Sequence, residues 1–242
     1  AAPGTDLTVP GVVLVDPAAQ GQSADAAGAV SSDAPAVRIV NPGDQAATVS
    51  LSMLGPEGEA QLSGASGVVV DPGAVFDISL AGVGPGAYGV HVTSDRAVGA
   101  AVRLVRSGGE YPARSGSLAH DVGWIQAQDS QATVSGALTL PAGGMTSALT
   151  ISNSGAAAAA VAIAAADGSW SQEVSVPAGS TVAPELPAGV SALTLRGTQG
   201  VSVAAAAVVT AEVGGDVPGT LIAVVPPVSD AAVADSLSLL PR

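Results

Sequence analysis

Short runs in which apolar residues alternate with small or polar ones dominate the chain. Val49, Leu51 and Met53 alternate with Ser50 and Ser52. Phe76, Ile78 and Leu80 alternate with Asp77 and Ser79, and Tyr88, Val90 and Val92 with Gly89 and His91. Successive side chains of an extended strand point to opposite faces, so each run predicts a strand with one buried face. Turn residues separate the runs. Asn41-Pro42-Gly43-Asp44 suits a type II turn, because Pro presets φ and Gly accepts positive φ at the next position. Gly55-Pro56-Glu57-Gly58, Asp71-Pro72-Gly73 and Gly84-Pro85-Gly86 punctuate the chain in the same way. The pattern predicts strands near 7–15, 36–41, 47–54, 66–70, 75–80, 87–93 and 97–106. Residues 18–33 read as an irregular segment and 107–119 as a Gly- and Ser-containing loop. Further strands are expected over 120–125 and 136–140, from 147 to about 213, and in a closing pair over 221–225 and 232–240.

The pattern repeats. Val37-Arg38-Ile39-Val40-Asn41-Pro42-Gly43 aligns with Leu149-Thr150-Ile151-Ser152-Asn153-Ser154-Gly155 at an offset of 112 residues. Val49-Ser50-Leu51 aligns with Val161-Ala162-Ile163 at the same offset, and upstream Val13 aligns with Ile125. Downstream the second copy is nine residues shorter: Val90-His91-Val92 matches Leu193-Thr194-Leu195, and Val98 matches Val201, at an offset of 103. A single change of offset between strands is what a loop deletion in a duplicated unit leaves.

Alanine opposes this reading. Ala156 to Ala166 is nearly an alanine run, and alanine is the best helix former. Yet the run aligns with Thr48 to Leu54, and its large residues, Val161 and Ile163, are spaced by two. A strand is therefore expected, because tertiary context overrides propensity. The same applies to Val201 to Val213.

Composition narrows the function classes. Twenty acids against seven arginines and no lysine give a net charge of −13. Binding to nucleic acid or to an anionic membrane surface needs clustered cations, so neither is expected. The absence of cysteine removes disulfides, thiolate metal sites and cysteine catalysis. No continuous apolar run reaches the roughly 18 residues of a membrane helix. Aromatics are only 2% of the chain, so the cores must be built from Val, Leu, Ile and Ala. The alanine-rich second copy is expected to be thinner, or propped against its neighbour.

In the first copy, Val37 to Asp44, Gly55-Pro56-Glu57-Gly58, Val92-Thr93-Ser94-Asp95-Arg96-Ala97-Val98 and Val102 to Gly109 occur in that order, followed by His120-Asp121-Val122-Gly123-Trp124. This series resembles the DUF5719 family of actinobacterial secreted or membrane-anchored proteins of unknown function. The resemblance covers roughly 35–127 well and the second copy weakly, where Gly197-Thr198-Gln199-Gly200-Val201 replaces the Ser-Asp-x-x-Val element. It implies an extracellular or cell-envelope location, and members are often encoded near glycosyltransferases. It supplies no catalytic residue.

Candidate sites are few. Gly84-Pro85-Gly86-Ala87-Tyr88-Gly89 fits G-x-G-x-x-G, but a strand rather than a helix follows, so a turn is expected. Ser117, His120 and Asp121 have the residue types of a hydrolase triad, but neighbours on an extended chain point apart. Asp71, Asp77 and Asp95 sit at strand ends, where turns favour Asp. No metal loop and no cofactor is expected. Arg103, Arg106 and Arg114, with Tyr111 and Glu110, form the cationic cluster of the chain. Such a cluster either pairs with nearby acids or contacts an anion or glycan at the junction of the two copies, with Tyr111 or Trp124 as a stacking surface. Trp124 itself is expected as a core residue at the junction of the two copies, and Trp170, after the Asp167-Gly168 turn, is the better candidate for an exposed aromatic.

The sequence thus predicts an all-β protein of two tandem immunoglobulin- or fibronectin-III-like β-sandwich repeats, 1–127 and a degenerate, alanine-rich 128–242. A non-enzymatic structural or interaction module of the cell envelope is expected. The alternative is a cell-wall glycan-binding module that uses the Arg103–Trp124 segment.

Overall fold

The computed structural model describes residues 2–16, 34–141, 143–198 and 200–229. The segment expected to be irregular over 18–33 and the closing strand over 232–240 lie outside the described residues. Every regular element among the described residues is a strand. In the first half these are β1 (Gly4–Leu14), β2 (Ala36–Val40), β3 (Ala47–Gly55), β4 (Gly58–Gln61), β5 (Val68–Val70), β6 (Val75–Ser79), β7 (Gly86–Glu110), β8 (Leu118–Gln126) and β9 (Gln128–Asp129). In the second they are β10 (Ser135–Thr139), β11 (Thr146–Asn153), β12 (Ala159–Ala165), β13 (Ser171–Val176), β14 (Ser180–Val182), β15 (Ala192–Gly197), β16 (Val203–Val213), β17 (Gly219–Val225) and β18 (Val228–Ser229).

Two hydrogen-bonded sheets result, one of thirteen strands and one of five, and the larger curls toward a nearly closed barrel. The bend belongs to β7. The sequence predicts two strands there, but a single strand of 25 residues runs through and changes partners on the way. Its first part pairs with β1 and β3, and its second part with β2 and β8. A strand long enough to serve both walls needs no turn between them. The expected loop over 107–119 is correspondingly shorter, because β7 continues to Glu110 and β8 starts at Leu118.

The pairing pattern recurs in the second half. There β15 lies between β10 and β12, as the first part of β7 lies between β1 and β3. Likewise β16 lies between β11 and β17, as the second part of β7 lies between β2 and β8. Leu51 pairs with Val92 and Ile163 with Leu195, which preserves the offset of 103 expected for that strand. Val40, however, pairs with Gly99 and Ser152 with Ala204, so Val98 is answered by Val203 at 105 rather than by Val201. The cause is local: β7 is continuous, whereas a connection separates β15 from β16. The upstream correspondence of Val13 with Ile125 also fails. Val13 pairs with the first part of β7 and Ile125 with the second, so β10 holds the place of β1, and β17 that of β8.

Both alanine-rich segments are strands. In β12 the residues Ala159, Val161, Ile163 and Ala165 are buried while Ala162 is exposed. In β16 every residue from Val203 to Val209 is buried. Val203, Ala205 and Ala207 pack into the second core. The alternate side of β16 faces the first half: Val208 belongs to the first core, as does Ile222 of β17. A Cβ placed on Gly11 of β1 would lie 3.0 Å from the Ala206 Cβ, and Gly11 has φ +78. A glycine at the β1 register shift and an alanine opposite it let the two walls meet.

Two buried asparagines hold equivalent turns. Asn41 Nδ2 donates to the carbonyls of Gln45 and Val70, and Asn153 Nδ2 to those of Ala157, Val176 and Pro177. Gly43 N donates to Asn41 Oδ1, and Gly155 N to Asn153 Oδ1. These Asx turns replace the expected type II turn, since Gly43 does not adopt positive φ. The Asn side chain, not glycine flexibility, shapes the bend.

Candidate functional site

The outward face of the β6–β2–β7–β8 wall carries charged, amide and aromatic side chains. On β2, Val37 and Ile39 are buried, so Arg38 and Val40 point outward. Register places Asp77, Arg38, Ala101 and Gln126 in one row across four strands, and Arg103 beside Trp124 in the next. Arg38 donates Nε and Nη2 to the two Asp77 oxygens, each at 2.7 Å. The same guanidinium lies 4.8 Å from the centroid of the Trp124 ring. Hydrogen bonding from Arg38 holds the Asp77 carboxyl below its ordinary value, outweighing the opposite effect of burial, and raises Arg38 in return. The pair therefore stays ionised at neutral pH.

Trp124 is 41% exposed. It borders two concavities. One, of about 310 Å³, is lined by Arg38, Val40, Gly99, Ala101, Trp124 and Gln126 among others. The other, of about 450 Å³, lies between Trp124, Gln126 and Gln128 on one side and Ala206, Val224 and Pro226 on the other. Half-exposed Trp with an Arg over its face and amide and carboxylate groups around it can stack a ring and orient its polar edge.

The six sequence candidates separate. Arg103 and Trp124 share the outward face, and Arg103 also donates to the Ala34 carbonyl at 3.0 and 3.3 Å. Arg106, three residues on, faces the other way and is 4% exposed. Its Nη1 and Nη2 donate to the carbonyls of Val105 and Val13. Burial lowers its pKa from the ordinary arginine value. Tyr111, 68% exposed, and Arg114 sit on the β7–β8 connection. Trp170, in the connection from β12 to β13, is half-buried against the second core rather than exposed. Arg38 escaped the sequence reading, and Asp77, expected at a strand end, instead lies at the middle of β6, paired with Arg38. The available signal was two opposite charges, each centred in an alternating apolar run.

The catalytic motifs do not assemble. Gly86 opens β7, so a turn and a strand occupy the G-x-G-x-x-G segment. His120 Nδ1 meets Ser107 Oγ at 3.2 Å, while Asp121 Oδ2 accepts from Ile222 N at 2.7 Å. His91 does find carboxylates, with Nε2 2.9 Å from Asp6 and Nδ1 3.3 Å from Glu59. Burial would raise the Asp6 pKa, but hydrogen bonds from His91, Ser130 and Gln131 together hold it below the ordinary value. This cluster ties β1 to β7 and β4. Among the described residues no group of three His, Cys, Asp or Glu is placed to hold a metal ion, and no helix is long and apolar enough to cross a membrane.

A family model described as a family of unknown function, DUF5719, matches residues 1–187. No curated protein and no solved structure matches the chain. The family match is broader than the resemblance read from the motifs, since it takes in β1 and continues past β14 of the second half. Covering most of the 242 residues, it places the chain in the DUF5719 family.

Proposed function

We propose that the protein is a non-enzymatic interaction module of the bacterial cell envelope. In this reading it consists of two immunoglobulin- or fibronectin-III-like sandwiches, 1–127 and 128–242, joined as one body, and offers the wall around Trp124 to a partner. One observation carries the reading. The counterparts of that wall in the second half are Thr150, Ala204, Ala206 and Val208, which stand where Arg38, Gly99, Ala101 and Arg103 stand in the first. There the face is covered: Thr150, Ala204, Ala206 and Val208 are all buried. The same face of the same pairing pattern thus serves as a docking surface once in this chain and is open the second time. The envelope location rests on the resemblance to secreted and membrane-anchored family members.

A second reading is favoured by Trp124 itself. Cell-wall glycan is a fitting partner for a half-exposed indole flanked by Arg38, Arg103, Asp77 and Gln126, because sugar rings stack on aromatic faces and their hydroxyls bond to such groups. The two readings part in one pair of measurements. Immobilised protein is exposed to solubilised native envelope, and soluble protein is co-sedimented with purified cell-wall polysaccharide, each with wild type and Trp124→Ala. Loss of a captured envelope protein on Trp124→Ala supports the first reading. A weakening of polysaccharide binding by about ten-fold or more, reproduced by Arg103→Ala, supports the second. Binding indifferent to Trp124 in both assays overturns the assignment of this face.

A further inference from the structure

On the opposite side of β7, Arg106 poses a separate problem. It shares the inward parity of Val102 and Leu104, both 0% exposed, and is itself 4% exposed. A guanidinium at an inward position normally meets a carboxylate, since a buried charge without compensation is costly. Among the described residues no acid lies within ion-pair distance of Arg106. Its acceptors are two backbone carbonyls, which use two of its five N–H groups.

Arg106 also lines a half-open cleft of about 370 Å³ between the two halves. The far wall is β16 with its neighbours. Along one side of β16 the residues run Ala204, Ala206, Val208, Thr210, Glu212. The first three close the contact between the halves, and the last two turn polar where the cleft opens. Thr146 and Thr220 complete the polar rim, and Thr220 Oγ1 donates to Glu212 Oε1 at 2.9 Å. Val13, Val15 and Ala148 supply its apolar lining.

We infer that this cleft is a binding site for a small hydroxylated monocarboxylate, the chemistry of a single uronic acid residue. Arg106 takes the carboxylate with its remaining N–H groups, in a setting where the charge-assisted bond is little weakened by water. Thr146, Thr210 and the Glu212 carboxylate bond to the ligand's hydroxyls. Glu212 repels a multiply charged anion, so inorganic phosphate binds less well than a monoanion. The site lies on the other face of β7 from Trp124 and does not depend on how that face is used.

The test is calorimetric titration of the full chain with D-glucuronate, D-glucose and inorganic phosphate. Glucuronate is expected to bind about ten-fold or more tightly than either of the others. Thr210→Val and Arg106→Lys are both expected to weaken it several-fold. Glu212→Gln should narrow the gap between glucuronate and phosphate. Since Arg106 also ties β7 to the Val13 carbonyl, Thr210→Val keeps the test open if the Arg106 variant fails to fold. Equal response to glucuronate and glucose, or glucuronate binding that persists in Thr210→Val and in folded Arg106→Lys, overturns the site and leaves Arg106 as a structural tie.

Discussion

Asn41 and Asn153 are 1% and 0% exposed, and each spends its whole amide on backbone groups. No other side chain of similar size offers two donors and an acceptor to a turn from one planar group. Asn41→Ala strips the carbonyls of Gln45 and Val70 of their Nδ2 donor and the Gly43 amide of its acceptor. Leaving buried polar groups unsatisfied costs about 1–3 kcal/mol. Asn41→Ala and Asn153→Ala should therefore each lower unfolding free energy by an amount in that range, measured by urea denaturation. A loss smaller than about 0.5 kcal/mol in both, of the size expected at an ordinary surface position, would show that the two turns do not need these bonds. The pair was legible in the sequence as two Asn-x-Gly elements in register, although the turn type was not. A type II turn follows from Pro-Gly statistics, whereas the Asx turn depends on a side chain folding back on its own backbone. Trp124 illustrates the opposite limit. Its partner Arg38 lies 86 residues earlier in the chain, and only the β2–β7–β8 register brings the two together.

Alanine means different things in the two strands that carry most of it. In β12 the exposed Ala162 meets solvent, and its smallness satisfies no packing requirement. In β16 smallness is the point, because the strand is covered on both sides and Ala206 opposes Gly11. Hydrophobic periodicity cannot separate these cases. A strand buried on one side and one buried on both can each read as an alanine run, and only the approach of β1 to β16 distinguishes them. The second half is thus not a decayed copy of the first along β16; its small residues fit the junction. Ala206→Leu should overpack that junction and destabilise by about 1–3 kcal/mol. Ala162→Val should lie within about 0.5 kcal/mol of wild type, since β-branching suits an exposed strand position. Thermal unfolding of the two variants side by side checks this. Equal tolerance at both positions would mean that β16 is not confined between two walls.

At the scale of the molecule, the described residues form two hydrophobic cores but do not divide cleanly between them. Val208 and Ile222 leave the second half to join the first core, and the β1–β7 side of the first half supplies the surface that covers β16. Polar ties cross the same boundary. Thr8 Oγ1 donates to Ser154 Oγ, and Ile222 N to Asp121. Beads on a flexible linker would share none of this, and each could unfold alone. Here, opening the second half exposes Val208 and Ile222 and uncovers part of the first core, so the two should unfold together. The sequence supplies its own reporters, because its two tryptophans lie one in each half: Trp124 on β8 and Trp170 against the second core. Trp124→Phe leaves a fluorescence signal from the second half, and Trp170→Phe one from the first. In urea each single-tryptophan variant should give one transition, and each should coincide with loss of its own far-UV circular dichroism. Ala206→Leu should shift both reporters together, although it sits in only one half. A fluorescence midpoint that departs from the circular dichroism midpoint in either variant, or an Ala206→Leu effect confined to Trp170, would mean that the junction is a contact between independent units rather than part of a common core.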